Sequence, residues 1–173
     1  VPQKGMLFSG NAVSNIAHGK DAASTDEIMK PLEVAQAKNF VSEMEDGIET
    51  AIAQGGGNVS GGQKQRLSIA RALVKKAPIY IFDDSFSALD FKTDAALRSA
   101  LDAYTDNTTV LIVAQRISTI LHAEQILVLD DGKVVGKGTH EELLKNCKVY
   151  QEIAKSQLSA KELGIESEVA DHE

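Results

Sequence analysis

A single cysteine, Cys147, stands in 173 residues. No internal disulfide can form, the usage fits a reducing compartment, and with no His or Asn partner evident the thiol reads as a semi-buried side chain, not a nucleophile. No apolar run approaches the roughly 18 residues of a membrane-crossing helix, and Val1 to Gly10 lacks the layout of a secretion signal. The chain as it stands is therefore expected to be soluble and cytosolic. Positive charge is short as well. The formal net charge of -7 excludes whole-surface attraction to nucleic acid or anionic lipid and leaves any phosphate chemistry to a local site. Internal repeats are missing too. One absence is regional: between Glu49 and Asp83 there is no carboxylate, while Lys64, Arg66, Arg71, Lys75 and Lys76 all fall in that interval.

What is present suits one soluble domain, since 43% hydrophobic residues over this length can bury a real core. Val1 to Gly10 reads as an extended loop, and "SGNAVSNIAHG" as a short helix ending near Gly19. "STDEIMKPLEVAQA" opens with a capping box, Ser24 to Glu27, and continues in helical period past Pro31; "KNFVSEM" reads as another short helix. After the glycine punctuation of "AIAQGGGNVSGGQ", Leu67, Ala70, Leu73 and Val74 form an apolar stripe at helical spacing. "APIYIFDD" and "TTVLIVAQ", separated by the helical "LDFKTDAALRSALDAY", predict buried strands of a parallel βαβ unit. "QILVLDDGKVVGKG" predicts a hairpin turning at Asp131-Gly132, followed by the helical "THEELLKN". Lys161 to Glu173 reads as a solvated tail. Three segments are expected: 1–77 around the glycine-opened helix, 78–150 holding the strands, and an acidic helix and tail at 151–173.

Two constellations carry chemistry. At the first, Ser60, Gly61 and Gly62 place backbone N–H groups at the positive end of a helix dipole, which suits phosphate. Ser60 can cap that helix and donate its hydroxyl, and Gln63 adds a side-chain donor; the bland alternative is a solvated basic face. At the second, Asp83 and Asp84 end a buried strand, where open α/β sheets bind ligands. One carboxylate can ligate Mg²⁺ while its neighbour orients an attacking water; the alternative is a turn opener. Ser87 and Asp90 in "SFSALD" could cap the helix that follows.

In this order and spacing, "VSGGQKQRLSIARAL" resembles the signature motif of ATP-binding-cassette (ABC) ATPases, "IYIFDD" the Walker B strand, "SALD" the D-loop and "VLIVAQR" the H-loop region. Gln3 in "VPQKGMLFSG" resembles the Q-loop glutamine, and "ILVLDDGKVVGKGTHEELL" is similar to the last hairpin and helix of exporter cassettes of the multidrug type. The resemblance covers about residues 1–150. It implies an α/β fold of the P-loop NTPase-like ABC type, here partial: the helical signature subdomain plus the C-terminal part of a mainly parallel sheet. It further implies ATP and Mg²⁺ as cofactors. Asp83 and Gln3 would serve the metal, Gln3, Ser60, Gly61, Gly62, Gln63 and Asp90 the nucleotide, and Asp84 and Gln115 would be the catalytic pair. The parent would act at the cytoplasmic face of the cell membrane, with transmembrane domains upstream and a second ATPase domain as partner, and without nucleic acid.

Two departures from the family pattern stand out. The chain has no G-x-x-x-x-G-K-[ST], so it is expected to be a piece of a longer transporter chain, inactive alone and prone to self-association through an open sheet edge. Asp84 stands where the family usually has glutamate, and Gln115 where it has histidine. The shorter carboxylate is withdrawn by about 1.5 Å, and Gln115 cannot become charged as imidazole can. With an intact signature on the same chain, these changes imply the degenerate half of a heterodimer, serving an unlike partner's ATP. Two other readings stay open. One is a non-catalytic regulatory or dimerisation module; the other is the head lobe of a chromosome-organising ATPase, against which stands the lack of heptads in Val1 to Met44.

Overall fold

A computed structural model describes residues 1–159, so the expected tail from Lys161 onward lies outside the described residues. The chain forms two compact units, Val1–Ala114 and a second beginning at Gln115.

The first unit is built around a helix whose start is written in its sequence. Ser60 is the N-cap of α4 (Gly61–Leu73): its hydroxyl accepts from the Gln63 N–H, and the Gln63 side chain accepts from the Ser60 N–H, a reciprocal capping box. Leu67, Ile69, Ala70 and Leu73 are fully buried. α4 packs against α1 (Ala12–Ala17) and α2 (Thr25–Val34). The predicted Ser24–Glu27 capping box opens α2, and Pro31 lies inside it; α3 (Lys38–Ser42) follows as the spacing predicts. A two-residue pairing of β1 (Gly10–Asn11) with β2 (Ala51–Ile52) closes this helical layer. It was not foreseen, because strands this short carry no periodicity.

β3 (Ile79–Asp83) and β4 (Thr109–Val113) pair in parallel, joined by α5 (Phe91–Tyr104), which confirms the βαβ unit. One expectation needs correction: these strands are not buried on both faces. Tyr80 and Phe82 enter the core, while Ile79, Ile81, Leu111 and Val113 remain exposed. The reason is geometric. Side chains alternate along a strand, and within this unit the core contacts of the sheet, including Leu97 and Leu101 of α5, lie on a single side.

The second unit has its own core of Ile117, Ile126, Val128, Leu143, Tyr150 and Ala154. β5 (Ile126–Asp130) and β6 (Lys133–Gly138) form the predicted hairpin. Asp131 and Gly132 both take positive φ, 46° and 73°, the conformation that matches a two-residue turn to the twist of its strands. Helices α6 (Ile117–Ile120), α7 (His140–Asn146) and α8 (Lys148–Gln157) complete it. Cys147 is buried there, in keeping with a structural thiol.

In this unit the buried Tyr150 hydroxyl lies 2.7 Å from His140 Nδ1. Burial, with a smaller push from His122, holds the imidazole below its ordinary value against the pull of Glu141. A histidine kept neutral by folding gives stability that is complete above the unfolded value near 6.5 and is lost as pH falls from there toward the folded value. Equilibrium unfolding of the second unit should therefore show lower stability at pH 5.5 than at pH 7.5. Tyr150→Phe should cost about 1 kcal/mol at neutral pH, whereas His140→Asn should flatten the slope; an unchanged slope in His140→Asn would mean that His140 is not its source.

Candidate functional site

The end of β3 gathers the first set of candidate residues. Asp83 is exposed at the strand's last position, and its N–H donates to Val1 O at 2.9 Å. Asp84 continues the ladder on the opposite side, donating to Val113 O at 2.9 Å. Its φ of 44° lies in the left-handed region, which Asp tolerates better than most side chains. The chain therefore turns sharply at Asp84, and Ser87 Oγ donates to Asp84 O at 2.9 Å to tie that turn. Ser87 thus braces the turn and does not cap α5. Asp90 is the N-cap, accepting from the Thr93 N–H, and the backbone N–H and hydroxyl of Thr93 hold the Asp90 carboxyl below its ordinary value.

Gln3 comes to this site from the other end of the unit. Its Nε2 donates to Asp84 Oδ2 at 3.1 Å, with the Asp84 side chain in a largely buried setting, 9% exposed. The segment that carries Gln3 is fixed beside β3: Val1 N donates to Ile81 O at 2.7 Å, and Ser85 Oγ donates to Val1 O at 3.0 Å. Residues 81 positions apart in the chain therefore share one polar site.

The second set lies at the start of α4. Ser60 and Gly61 are exposed, and Gly62 and Gln63 are half-buried. A Cβ built on Gly61 meets nothing within 4 Å, whereas one on Gly62 would lie 3.3 Å from Ala88 O. Gly62 is therefore glycine for close packing against the loop after β3. Nothing within 4 Å of that position requires Gly61 to lack a side chain, so its backbone is open to approach from outside the unit.

The cations of α4 are placed otherwise than a basic phosphate face would require. Arg71 donates to Asn15 O, Asn15 Oδ1 and Met6 O at 2.7, 2.7 and 2.9 Å. Arg66 donates to Gln36 O at 2.6 Å and lies over the Phe40 ring, 4.5 Å from its centroid. Burial lowers the pKa of both, countered at Arg66 by the Asp90 carboxylate. Both guanidiniums act as struts, so anion affinity at the helix start does not come from Arg66 or Arg71 hydrogen bonds; N–H groups, the helix dipole and Lys64 are left to supply it.

Gln115 belongs to the second unit. It is exposed, and its backbone oxygen accepts from Gln157 Nε2 at 2.8 Å, while Gln157 Oε1 accepts from the Ile117 N–H at 2.8 Å. Gln157 therefore holds the backbone on both sides of Arg116. Neither this brace nor the buried Gln65 discussed below was found by sequence reasoning; a lone glutamine carries no local signature, and both act across long sequence separations.

The site fits phosphate and Mg²⁺ on its own chemistry. Asp83 and Gln3 offer the hard oxygens that Mg²⁺ takes. Among the described residues no group of three or more His, Cys, Asp or Glu could hold a metal, so water and phosphate oxygens would have to complete the shell. No described helix is long and apolar enough to cross a membrane.

A family model described as ABC transporter matches residues 1–87. An uncharacterized ABC transporter ATP-binding protein of Mycobacterium bovis is 47% identical over 169 residues, covering 95% of this chain and 29% of the relative. An ATP-dependent lipid A-core flippase of Vibrio vulnificus is 44% identical, covering 91% of this chain and 27% of that protein. Among solved structures, a bacterial Atm1-family ABC exporter with ATP bound superposes with a TM-score of 0.88 at 38% identity, covering 92% of this chain and 28% of that one. The chain thus spans under a third of the length of these curated relatives.

Proposed function

The chain belongs to the ABC transporter family, and on that premise we propose that it is the slow half of an exporter's ATPase pair, completing the nucleotide site of an unlike partner cassette. What supports this reading is the presence, on one chain, of a capped helix start at Ser60–Gln63 together with Asp84 and Gln115 where the family resemblance would place a catalytic glutamate and a histidine. Ser60, Gly61, Gly62 and Gln63 would meet the γ-phosphate of ATP held by the partner, with Asp90 beside the shared interface. Gln3 and Asp83 would hold Mg²⁺ at the chain's own half-site. When bound there, Mg²⁺ would supply neutralisation of phosphate charge.

At that half-site the Asp84 carboxylate would orient the attacking water, with reach reduced by about 1.5 Å relative to glutamate. Misplacement on the order of 1 Å can cost roughly a hundredfold in rate. Gln115, in the second unit, offers an amide in place of an imidazole and so cannot become charged. The parent would then work at the cytoplasmic face of a membrane, joined to transmembrane domains, and its cargo could be a lipid or a drug-like amphiphile. The exposed face of β3 and β4 supports self-association of the chain when it is separated from its neighbours.

The test is phosphate release. The 173-residue chain alone should give no Mg²⁺-dependent hydrolysis above background, because it has no motif to cradle the β- and γ-phosphates. The full-length protein assembled with its partner should hydrolyse ATP at a single fast site. Steady turnover by the isolated chain, or two equally fast sites in the assembly, would overturn the reading.

A further inference from the structure

Gln65 lies on α4 one helical turn beyond Gly61 and is almost completely buried, 2% exposed. Both ends of its amide are used on one short loop: Oε1 accepts from the Gly5 N–H at 2.8 Å, and Nε2 donates to Pro2 O at 3.1 Å. The amide therefore straddles Gln3 and Lys4. The loop is drawn so close to the helix that a Cβ on Gly5 would lie 2.8 Å from Ser68 Oγ, 3.0 Å from Gln65 Oε1 and 3.0 Å from Lys64 O. Gln3, projecting from the middle of this clamp, reaches Asp84 at 3.1 Å.

We propose that Gln65 is a positioning residue for Gln3, joining the start of α4 to the Asp83–Asp84 site in a single polar chain. Burial makes the clamp stiff. A glutamine shielded from water has no solvent partners to exchange for Pro2 O and Gly5 N–H, so leaving them exposes unsatisfied groups. A displacement of α4 by a phosphate at its N-terminus would then carry Pro2 to Gly5 with it and shift the Gln3 amide relative to Asp84. The consequence rests on the functional reading above: occupancy of the partner's nucleotide site would be felt at this chain's own Mg²⁺ position.

The experiment uses Gln65→Leu and the length-preserving Gln65→Met in the full-length protein assembled with its partner. Gln65→Met keeps the reach of the side chain, buries no charge and, like leucine, removes both hydrogen bonds. The first readout is hydrogen exchange of the peptide containing Gly5, which needs no hydrolysis. Exchange at Gly5 should speed up about tenfold in Gln65→Leu and in Gln65→Met. The second readout is the Mg²⁺ concentration needed for half-maximal ATP retention at this chain's own half-site, with the partner's hydrolysis disabled. Gln65→Leu should raise it about fivefold, and by less than about twofold when Gln3 is already alanine, since contacts acting through a common residue are not additive. Should Gln65→Leu fail to fold, Gln65→Met carries the same cycle through the same two lost contacts.

Unchanged exchange at Gly5 in Gln65→Leu, or an equal Mg²⁺ effect with and without Gln3, overturns the assignment. Wild-type protein that retains no ATP while Gly5 exchange still accelerates in Gln65→Leu would overturn the functional reading and support the clamp.

Discussion

Gly61→Asp should reduce ATP turnover of the assembled transporter by at least about a hundredfold while leaving the thermal stability of the chain almost unchanged. The two halves of this expectation come from different physics. Gly61 is the first residue of α4, exposed, with nothing within 4 Å of the position its Cβ would take. An aspartate there meets no steric obstacle, and at a helix N-terminus its charge is worth about 0.3–1 kcal/mol in the favourable direction. The same carboxylate would stand where the γ-phosphate must approach. Two unit charges about 4 Å apart repel by roughly 1 kcal/mol in bulk water and roughly 4 kcal/mol near a protein surface, and the phosphate carries more than one charge. Steady-state phosphate release with a melting curve on the same preparation separates the two effects. Gly61→Ala should share the unchanged stability and lose far less activity. Normal turnover in Gly61→Asp would mean that the helix start is idle.

The second large effect runs in the opposite direction. Asp84→Glu should raise single-turnover hydrolysis at this chain's own half-site about ten- to a hundredfold, measured with the partner's site disabled, because it returns about 1.5 Å of reach to the carboxylate. The gain has a structural cost. Asp84 sits at φ 44°, where a side chain without aspartate's short-range hydrogen bonding is disfavoured by about 1 kcal/mol. The longer carboxylate must also move past Gln3 Nε2, now 3.1 Å from Asp84 Oδ2. Asp84→Asn, by contrast, should change overall turnover of the assembly little. A large loss in Asp84→Asn would place the fast site on this chain and reverse the proposed division of labour. No gain in Asp84→Glu, either alone or together with Gln115→His, would show that carboxylate reach is not what limits this half-site.

Much of this is legible in the sequence. The capping boxes at Ser24 and Ser60, the Asp90 cap and the Asp131-Gly132 turn depend on residues two or three positions apart. Their outcome is settled by local backbone geometry, which sequence spacing states directly. The βαβ unit was readable for a similar reason, since a change of apolar period marks each of its elements. The motifs placed Ser60, Gly61, Gly62 and Gln63 together because they adjoin in the chain, and Asp83 beside Asp84 for the same reason.

What only the tertiary structure decided is the set of contacts between distant segments, where packing chooses among partners that the chain order leaves equivalent. Arg66 and Arg71 look like part of a cationic face in the sequence; in the fold they are turned onto backbone carbonyls and aromatic rings of segments distant in the chain, which sequence spacing cannot state. The exposure of Ile79, Ile81, Leu111 and Val113 depends on which sheet face the helices cover, and an apolar run alone cannot state that. Gln3 meets Asp84 only because Val1 docks on β3 and Gln65 holds Pro2 and Gly5. The sequence by itself determined the local elements and the family's motifs. The fold decided which polar groups lost their water, and that loss makes their long-range hydrogen bonds obligatory.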